Sequence, residues 1–282
     1  MILTVPPPAP GRLFVVATPL GNLGDITLRA IEVLRAVGLV ACEDTRRTAR
    51  LLQAHGIRTP TTSYFEHNER FKTASILEAL RAGRDVALVS DAGTPGISDP
   101  GYRLVSEARA EGLPVIPVPG PNAAVAALSV SGLPTDRFLF VGFLPRKAQA
   151  RKSALAELAQ VPATLVFHES PVRIVEALAD MVDALGDRSA FLCREATKVH
   201  EEYLRGTLGE IRASLGSRGA VKGEVVLVVA GAAEEPPPAE SVEETFAGLV
   251  ARGLTRRAAV KETARRLRLP AREVYRRVLR DE

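Results

Sequence analysis

Tryptophan is absent from the 282-residue chain, and cysteine occurs twice, at Cys42 and Cys193. Two thiols without CxxC or zinc-finger spacing build neither a disulfide framework nor a thiolate metal site. Each ends an apolar run and reads as a buried side chain. Histidine is scarce: His55, His67, His168 and His200 show no HExxH or other paired spacing, so no metal is expected. No apolar run approaches the ~18 residues that span a bilayer. The opening Met1 to Val5 has neither a basic start nor a long apolar stretch before Pro6-Pro7-Pro8, so no secretory leader is expected. A cytoplasmic protein that engages no membrane is the expectation.

Missing motifs narrow the chemistry further. No Gly-Lys-Ser/Thr follows a glycine loop and no Gly-x-Ser-x-Gly elbow occurs, which argues against P-loop and α/β-hydrolase chemistry. Gly21 and Gly24, with Glu43 about twenty residues on, imitate a dinucleotide fingerprint. The spacing is G-x-x-G with Pro19 in the turn, not G-x-G-x-x-G.

What is present is an apolar content of 46% against 25% charged residues, enough for a large core. The length fits two domains and an appendage at roughly 150 residues per domain. The central stretch runs from Val86 to Gly101. Val86-Ala87-Leu88-Val89 reads as a strand buried on both faces, and it breaks into a loop of Ser, Asp, Gly, Thr and Pro. Loops leaving the carboxyl ends of strands are where open α/β sheets bind ligands.

Strands at 13–17, 39–42, 61–65, 86–89 and 114–118 alternate with helices, with Asp25 and Thr45 as expected caps for the first two. Five βα units predict a mostly parallel sheet over 11–135, its proline-bearing last strand at an edge. A second α/β domain is expected over 136–232, with strands at 138–144, 163–167, 190–193 and 225–230 and a helix at 174–185. Residues 233–240 read as a proline-rich linker. Over 241–282 three short helical stripes, the second capped by Thr255, turn at Leu267 to Pro270 in a helix-turn-helix-like pattern. Residues 240–282 hold eleven Lys+Arg against seven Asp+Glu, so the chain's whole net charge of +4 lies there. A polyanionic partner and a merely solvated Arg-rich helix both fit.

Six motifs stand in order: Thr18-Pro19-Leu20-Gly21-Asn22-Leu23-Gly24-Asp25, Glu43-Asp44-Thr45-Arg46, Ser90 to Gly101, Pro119-Gly120-Pro121-Asn122-Ala123, His168-Glu169-Ser170-Pro171 and Arg194 to Glu201. Together they resemble the bacterial ribosomal RNA small subunit methyltransferase I family, among the tetrapyrrole-methylase-like (class III) methyltransferases. Ala196 stands where a leucine is expected. The likeness spans Leu13 to Gly231 and accommodates a helical C-terminal module. It implies a two-domain α/β class III fold with S-adenosylmethionine in the cleft between the domains. It further implies 2′-O-methylation of a cytidine ribose in the 16S rRNA of the 30S subunit, by a homodimer. By the same resemblance Gly93, Thr94 (replacing the superfamily's acid), Ile97 and Ser98 line the donor's amino-acid and sulfonium end. Asn122 and Ala123 begin the next helix, Pro19 and Leu20 form the near wall, and Leu144, His168 and Val225 come from the second domain.

Transfer from a sulfonium needs an in-line approach of the ribose oxygen, helped by a base or by a cation beside the developing alkoxide. Asp44 and Glu195 are the candidate bases. Arg46 and Lys198 are candidates to hold flanking phosphates or the oxyanion. A helix cap with a local ion pair is the plain alternative for Glu43 to Arg46. The rival substrate is a corrinoid or porphyrin ring, against which Thr94, the basic Pro145-Arg146-Lys147 loop and the Arg-rich tail argue. A non-enzymatic nucleic-acid binder would leave the many ligand-type loops without a purpose.

Overall fold

The structure, a computed structural model, describes residues 9–218, 221–233, 241–267 and 269–278. It comprises two units, Met1–Ala232 and Ala233–Glu282. Within the first, β1 (Leu13–Val16), β2 (Leu39–Cys42), β3 (Thr61–Ser63), β4 (Val86–Val89) and β5 (Val115–Val118) form a sheet in the order β3-β2-β4-β1-β5. Every pairing is parallel.

Successive side chains enter opposite layers. Phe14, Val16, Val40, Cys42, Ala87 and Val89 pack with Ala30 and Leu34 of α1 (Leu28–Ala36) and Leu52 of α2 (Thr45–Ala54). Leu13, Ala41, Val86 and Leu88 pack with Ile76, Leu77 and Leu80 of α3 (Glu69–Arg81) and Leu104 and Ala108 of α4 (Tyr102–Ala110). Burial on both faces is why these strands read as unbroken apolar runs. β5, whose Pro117 has no N–H to donate, takes one edge.

The second lobe of this unit holds β6 (Phe138–Phe143), β7 (Thr164–Glu169), β8 (Ser189–Arg194), β9 (Glu202–Thr207) and β10 (Val225–Val229), in the order β6-β7-β10-β8-β9. Its sheet is mixed: β6 and β7 run parallel, and the other neighbours antiparallel. β9, α6 (Ala148–Leu158) and α8 (Leu208–Gly216) add to the elements expected from sequence. One face is covered by α6, α7 (Ile174–Leu185) and α8 through Leu155, Ile174, Leu178, Met181 and Ile211. The other face, with Val166, Phe191, Cys193, Val226 and Val228, packs on Ala124, Ala127 and Leu128 of α5 (Ala123–Ser131). α5 follows the last strand of the first sheet yet buries itself on the second, which ties the chain of one lobe to the core of the other.

Two caps differ from expectation. Thr27, not Asp25, caps α1 by accepting the Ala30 N–H at 3.1 Å, because a 3-10 turn over Leu23–Asp25 delays the helix. Asp44, not Thr45, caps α2, accepting the Arg46 N–H at 2.8 Å. In the smaller unit α9 (Val242–Ala251), α10 (Arg256–Arg266) and α11 (Ala271–Val278) enclose Val242, Val260, Ala264 and Val274, and Thr255 caps α10. Residues 1–8 of the proline lead, 234–240 of the expected linker, and Arg268 of the turn lie outside the described residues.

Candidate functional site

Loops from the carboxyl ends of β1, β2, β4 and β5 face the ends of β6 and β7 and the start of β10 across a cavity of about 420 Å³. That is the size of a small-molecule or cofactor site, ~300–1,000 Å³. Its floor is locked by backbone. Thr18 and Gly93 exchange hydrogen bonds, N–H to O, at 2.8 and 2.9 Å, tying the β1 loop to the β4 loop. Gly93 sits at φ +84°, where a side chain is strained, and a Cβ there would come within 3.3 Å of Leu20. The Thr94 hydroxyl donates to the Pro121 carbonyl at 3.0 Å, and Asn122 caps α5 by accepting the Val125 N–H at 3.1 Å. Loops from three strands thus form one rigid surface.

Leu20, Gly93, Thr94, Ile97, Ser98, Asn122, Ala123, His168 and Val225 line this cavity. Pro19 lines instead an adjoining pocket of about 180 Å³ that shares Leu20, Arg47 and Asp91 with it. Leu144 is absent from both linings: it is buried in the core of the second lobe with Leu155 and Leu165. The His168 ring stands edge-on to Phe140 and Phe143, centroids 5.1 and 5.5 Å away, and its buried Nε2 has no hydrogen-bond partner among the described residues. Burial lowers its pKa and favours the neutral ring. Phe143, His168, Val225 and Val226 make this an apolar wall.

The first lobe's side is acidic, and Glu224, beside Val225, adds a carboxylate from the second. Glu43, Asp91, Asp99 and Glu224 line the cavity, and sequence reading assigned none of them a role. Asp91 and Asp99 stand inside the loop motif already singled out, which is the signal that was available. Asp91 is tied down, accepting the Asp44 N–H at 3.0 Å and pairing with Arg47 at 3.3 Å. Burial, then the charges of Glu43, Asp91 and Glu224, push Asp99 up to about 7 against the opposing hydrogen bond from Ser90. Burial and the charge of Asp91 raise Glu43 as well.

None of Asp44, Arg46, Glu195 and Lys198 belongs to the lining. Asp44 and Arg46 pair with each other at 2.8 Å, and the Arg46 hydrogen bonds hold the Asp44 carboxyl well below the usual range. Lys198 Nζ lies 2.8 Å from Glu195 Oε1 and 3.2 Å from Glu224 Oε2, which brings it to the rim. Its hydrogen bond to Glu195 lowers that carboxyl's pKa. Glu195 and Thr197 adopt φ +52° and +65°, a tight turn that aims Lys198 back at its partner. Both expected bases are therefore weak proton acceptors, held as anions by adjacent cations.

A family model for tetrapyrrole (corrin/porphyrin) methylases matches residues 12–212, and the chain belongs to that family. Two solved structures share the fold. A cobalt precorrin-4 methyltransferase of cobalamin biosynthesis has a TM-score of 0.58 at 16% identity, covering 77% of this chain and 94% of that one. A uroporphyrin-III C-methyltransferase from Thermus thermophilus has a TM-score of 0.56 at 23% identity, covering 78% and 94%. Nearer relatives belong to one subgroup. A protein of Micromonospora olivasterospora is 55% identical over 79% of this chain and 72% of its own length. One of Synechocystis is 47% identical over 94% and 96%. Both are named ribosomal RNA small subunit methyltransferase I, and within the family the chain belongs with them.

Proposed function

We propose that the chain transfers a methyl group from S-adenosylmethionine to the ribose 2′-hydroxyl of a cytidine in the 16S rRNA of the 30S subunit, as a cytoplasmic homodimer. The observation that carries this reading is the convergence, from both lobes, of nine of the eleven residues expected to hold the donor on one cavity. The residues present suit that molecule. Phe143, His168 and Val225 offer an apolar wall for a purine, with the His168 Nε2 awaiting a partner. Glu43, Asp91, Asp99 and Glu224 offer negative charge to an ammonium and a sulfonium. When bound, the donor supplies a methyl carbon made electrophilic by a cationic sulfur.

The chain's own groups divide the remaining work. Asp99, with a proton affinity near neutrality, is the carboxylate suited to take the hydroxyl proton. Asp44 and Glu195, assigned that role from sequence, instead orient Arg46 and Lys198. Those two cations hold the phosphates flanking the reacting sugar or steady the developing oxyanion. Labelled S-adenosylmethionine offered with undermethylated 30S subunits, naked rRNA and a porphyrin precursor tests the reading. Label is expected on ribose in the RNA, and Lys198→Ala abolishes it while donor binding persists. Label on the porphyrin alone, or nowhere, overturns it.

A further inference from the structure

A groove of about 540 Å³ in the smaller unit is lined by Arg256, Arg257 and Lys261 of α10 and Arg272 and Tyr275 of α11, over a floor that includes Val260. Arg257 and Lys261 are one turn apart on α10, and Arg272 and Tyr275 one turn apart on α11, so each helix presents one face to the groove. Among the described residues no carboxylate lines it. Three described acids of the unit are engaged away from the groove: Glu262 pairs with Arg265 and Arg266 at 2.6 and 3.2 Å, Glu273 with Arg277, and Glu244 closes the cap of α9 on Ser241. Among the described residues Arg257, Lys261 and Arg272 have no carboxylate within ion-pair distance. Like charges around a concave surface focus a positive field outward. Tyr275 stands 60% exposed beside them, while Val274, its neighbour in sequence, is the residue that serves the core.

We infer that this groove binds single-stranded RNA, with Arg257, Lys261 and Arg272 on successive phosphates and the Tyr275 ring stacked on an unpaired base. The identification of the polyanion as RNA rests on the rRNA reading above; the geometry of cations and aromatic stands apart from it. Basic grooves with aromatic platforms are how single strands are held without sequence readout. Duplex RNA does not fit the pattern, because its deep, narrow major groove excludes side chains. An acidic protein segment would satisfy the charges and leave Tyr275 without a stacking partner.

The test uses the full chain without donor, reading anisotropy of a labelled single-stranded oligoribonucleotide from small-subunit rRNA over a range of salt. Circular dichroism melts check that each variant is folded. The triple variant Arg257→Gln/Lys261→Gln/Arg272→Gln is expected to bind at least ~10-fold more weakly. Its log K against log salt slope should be shallower by about 2, at ~0.7 per phosphate contact. Tyr275→Ala should bind ~5- to 100-fold more weakly with the salt slope unchanged, and Tyr275→Phe as wild type. Unchanged affinity and slope in the triple variant, no effect of Tyr275→Ala, or preference for duplex DNA or an acidic peptide would each overturn the inference. Groove-dependent RNA binding in a chain that transfers no methyl would overturn the functional reading alone.

Discussion

The side chain of Lys198, from the second lobe, lies across the bare backbone of Gly21 in the first; a Cβ at residue 21 would overlap the Lys198 Cγ. The stem is thereby laid so that its ammonium meets Glu195 and Glu224 together. Gly21→Ala should push the stem away and break that arrangement without entering the main cavity. Methyl transfer is expected to fall about 10- to 100-fold, the scale of a misplaced catalytic group. Calorimetry with S-adenosylhomocysteine should show little change. Equal loss of both would assign Gly21 to donor binding instead.

Asp99 sets a pH window. With its carboxyl at about 7 in the folded chain, the deprotonated base fraction grows tenfold per unit below that value and levels off above it. The kcat/KM profile should follow, with one inflection near pH 7. Asp99→Asn should lose the inflection and ~10²- to 10⁴-fold of the rate.

The same carboxyl acts on stability with the opposite sense. A folded-state value above the unfolded one means that the fold favours the neutral acid, so charging it costs stability as pH rises from about 4 to 7. Asp99→Asn should therefore melt higher than wild type at pH 8, by at least about 3 °C. The difference should vanish near pH 4. A variant less stable than wild type at pH 8 would contradict the burial argument.

Thr94→Val keeps the side-chain shape and removes the donor to the Pro121 carbonyl. Loss of one such hydrogen bond, about 0.5–1.5 kcal/mol, should weaken S-adenosylhomocysteine binding roughly 2- to 12-fold by loosening the floor at the start of α5.

Far from the cavity, Arg151 of α6 pairs with Asp180 of α7 at 2.6 Å, both nearly buried. Arg151→Ala leaves that carboxylate with only the half-exposed Lys152 ammonium, 3.4 Å away, and should cost about 2–3 kcal/mol in urea unfolding, below the ~3–5 kcal/mol of a wholly unpaired buried charge. Arg151→Met with Asp180→Leu should be nearly neutral, since packing then replaces the pair.

The parts of the fold legible in the sequence share a physical reason. β1, β2 and β4 are buried on both faces, so their apolar runs are continuous. α4 and α7 stop where Gly112 and Gly186 supply positive φ. β9 escaped because it is an edge strand whose Tyr203 and Arg205 face outward, diluting any alternation. α8 carried a readable signal, the Thr207–Glu210 capping box, that the apolar pattern alone did not bring out. At the site, loop backbones were legible from Gly, Pro and Asn. The proton affinity of Asp99 was not, because Glu43 and Glu224 reach it from other elements. Nor could the sequence reveal that Gly21 is bare in order to admit Lys198.

β10 lies in the middle of the second sheet although it is the last of its strands in the chain. Until residue 229 has left the ribosome, β7 and β8 each expose an open edge, whereas the first sheet is complete by residue 118. The enzyme half that closes late is thus the one most in need of protection from self-association during synthesis. A premature stop anywhere before β10 would release a sticky, half-built product rather than a smaller working one.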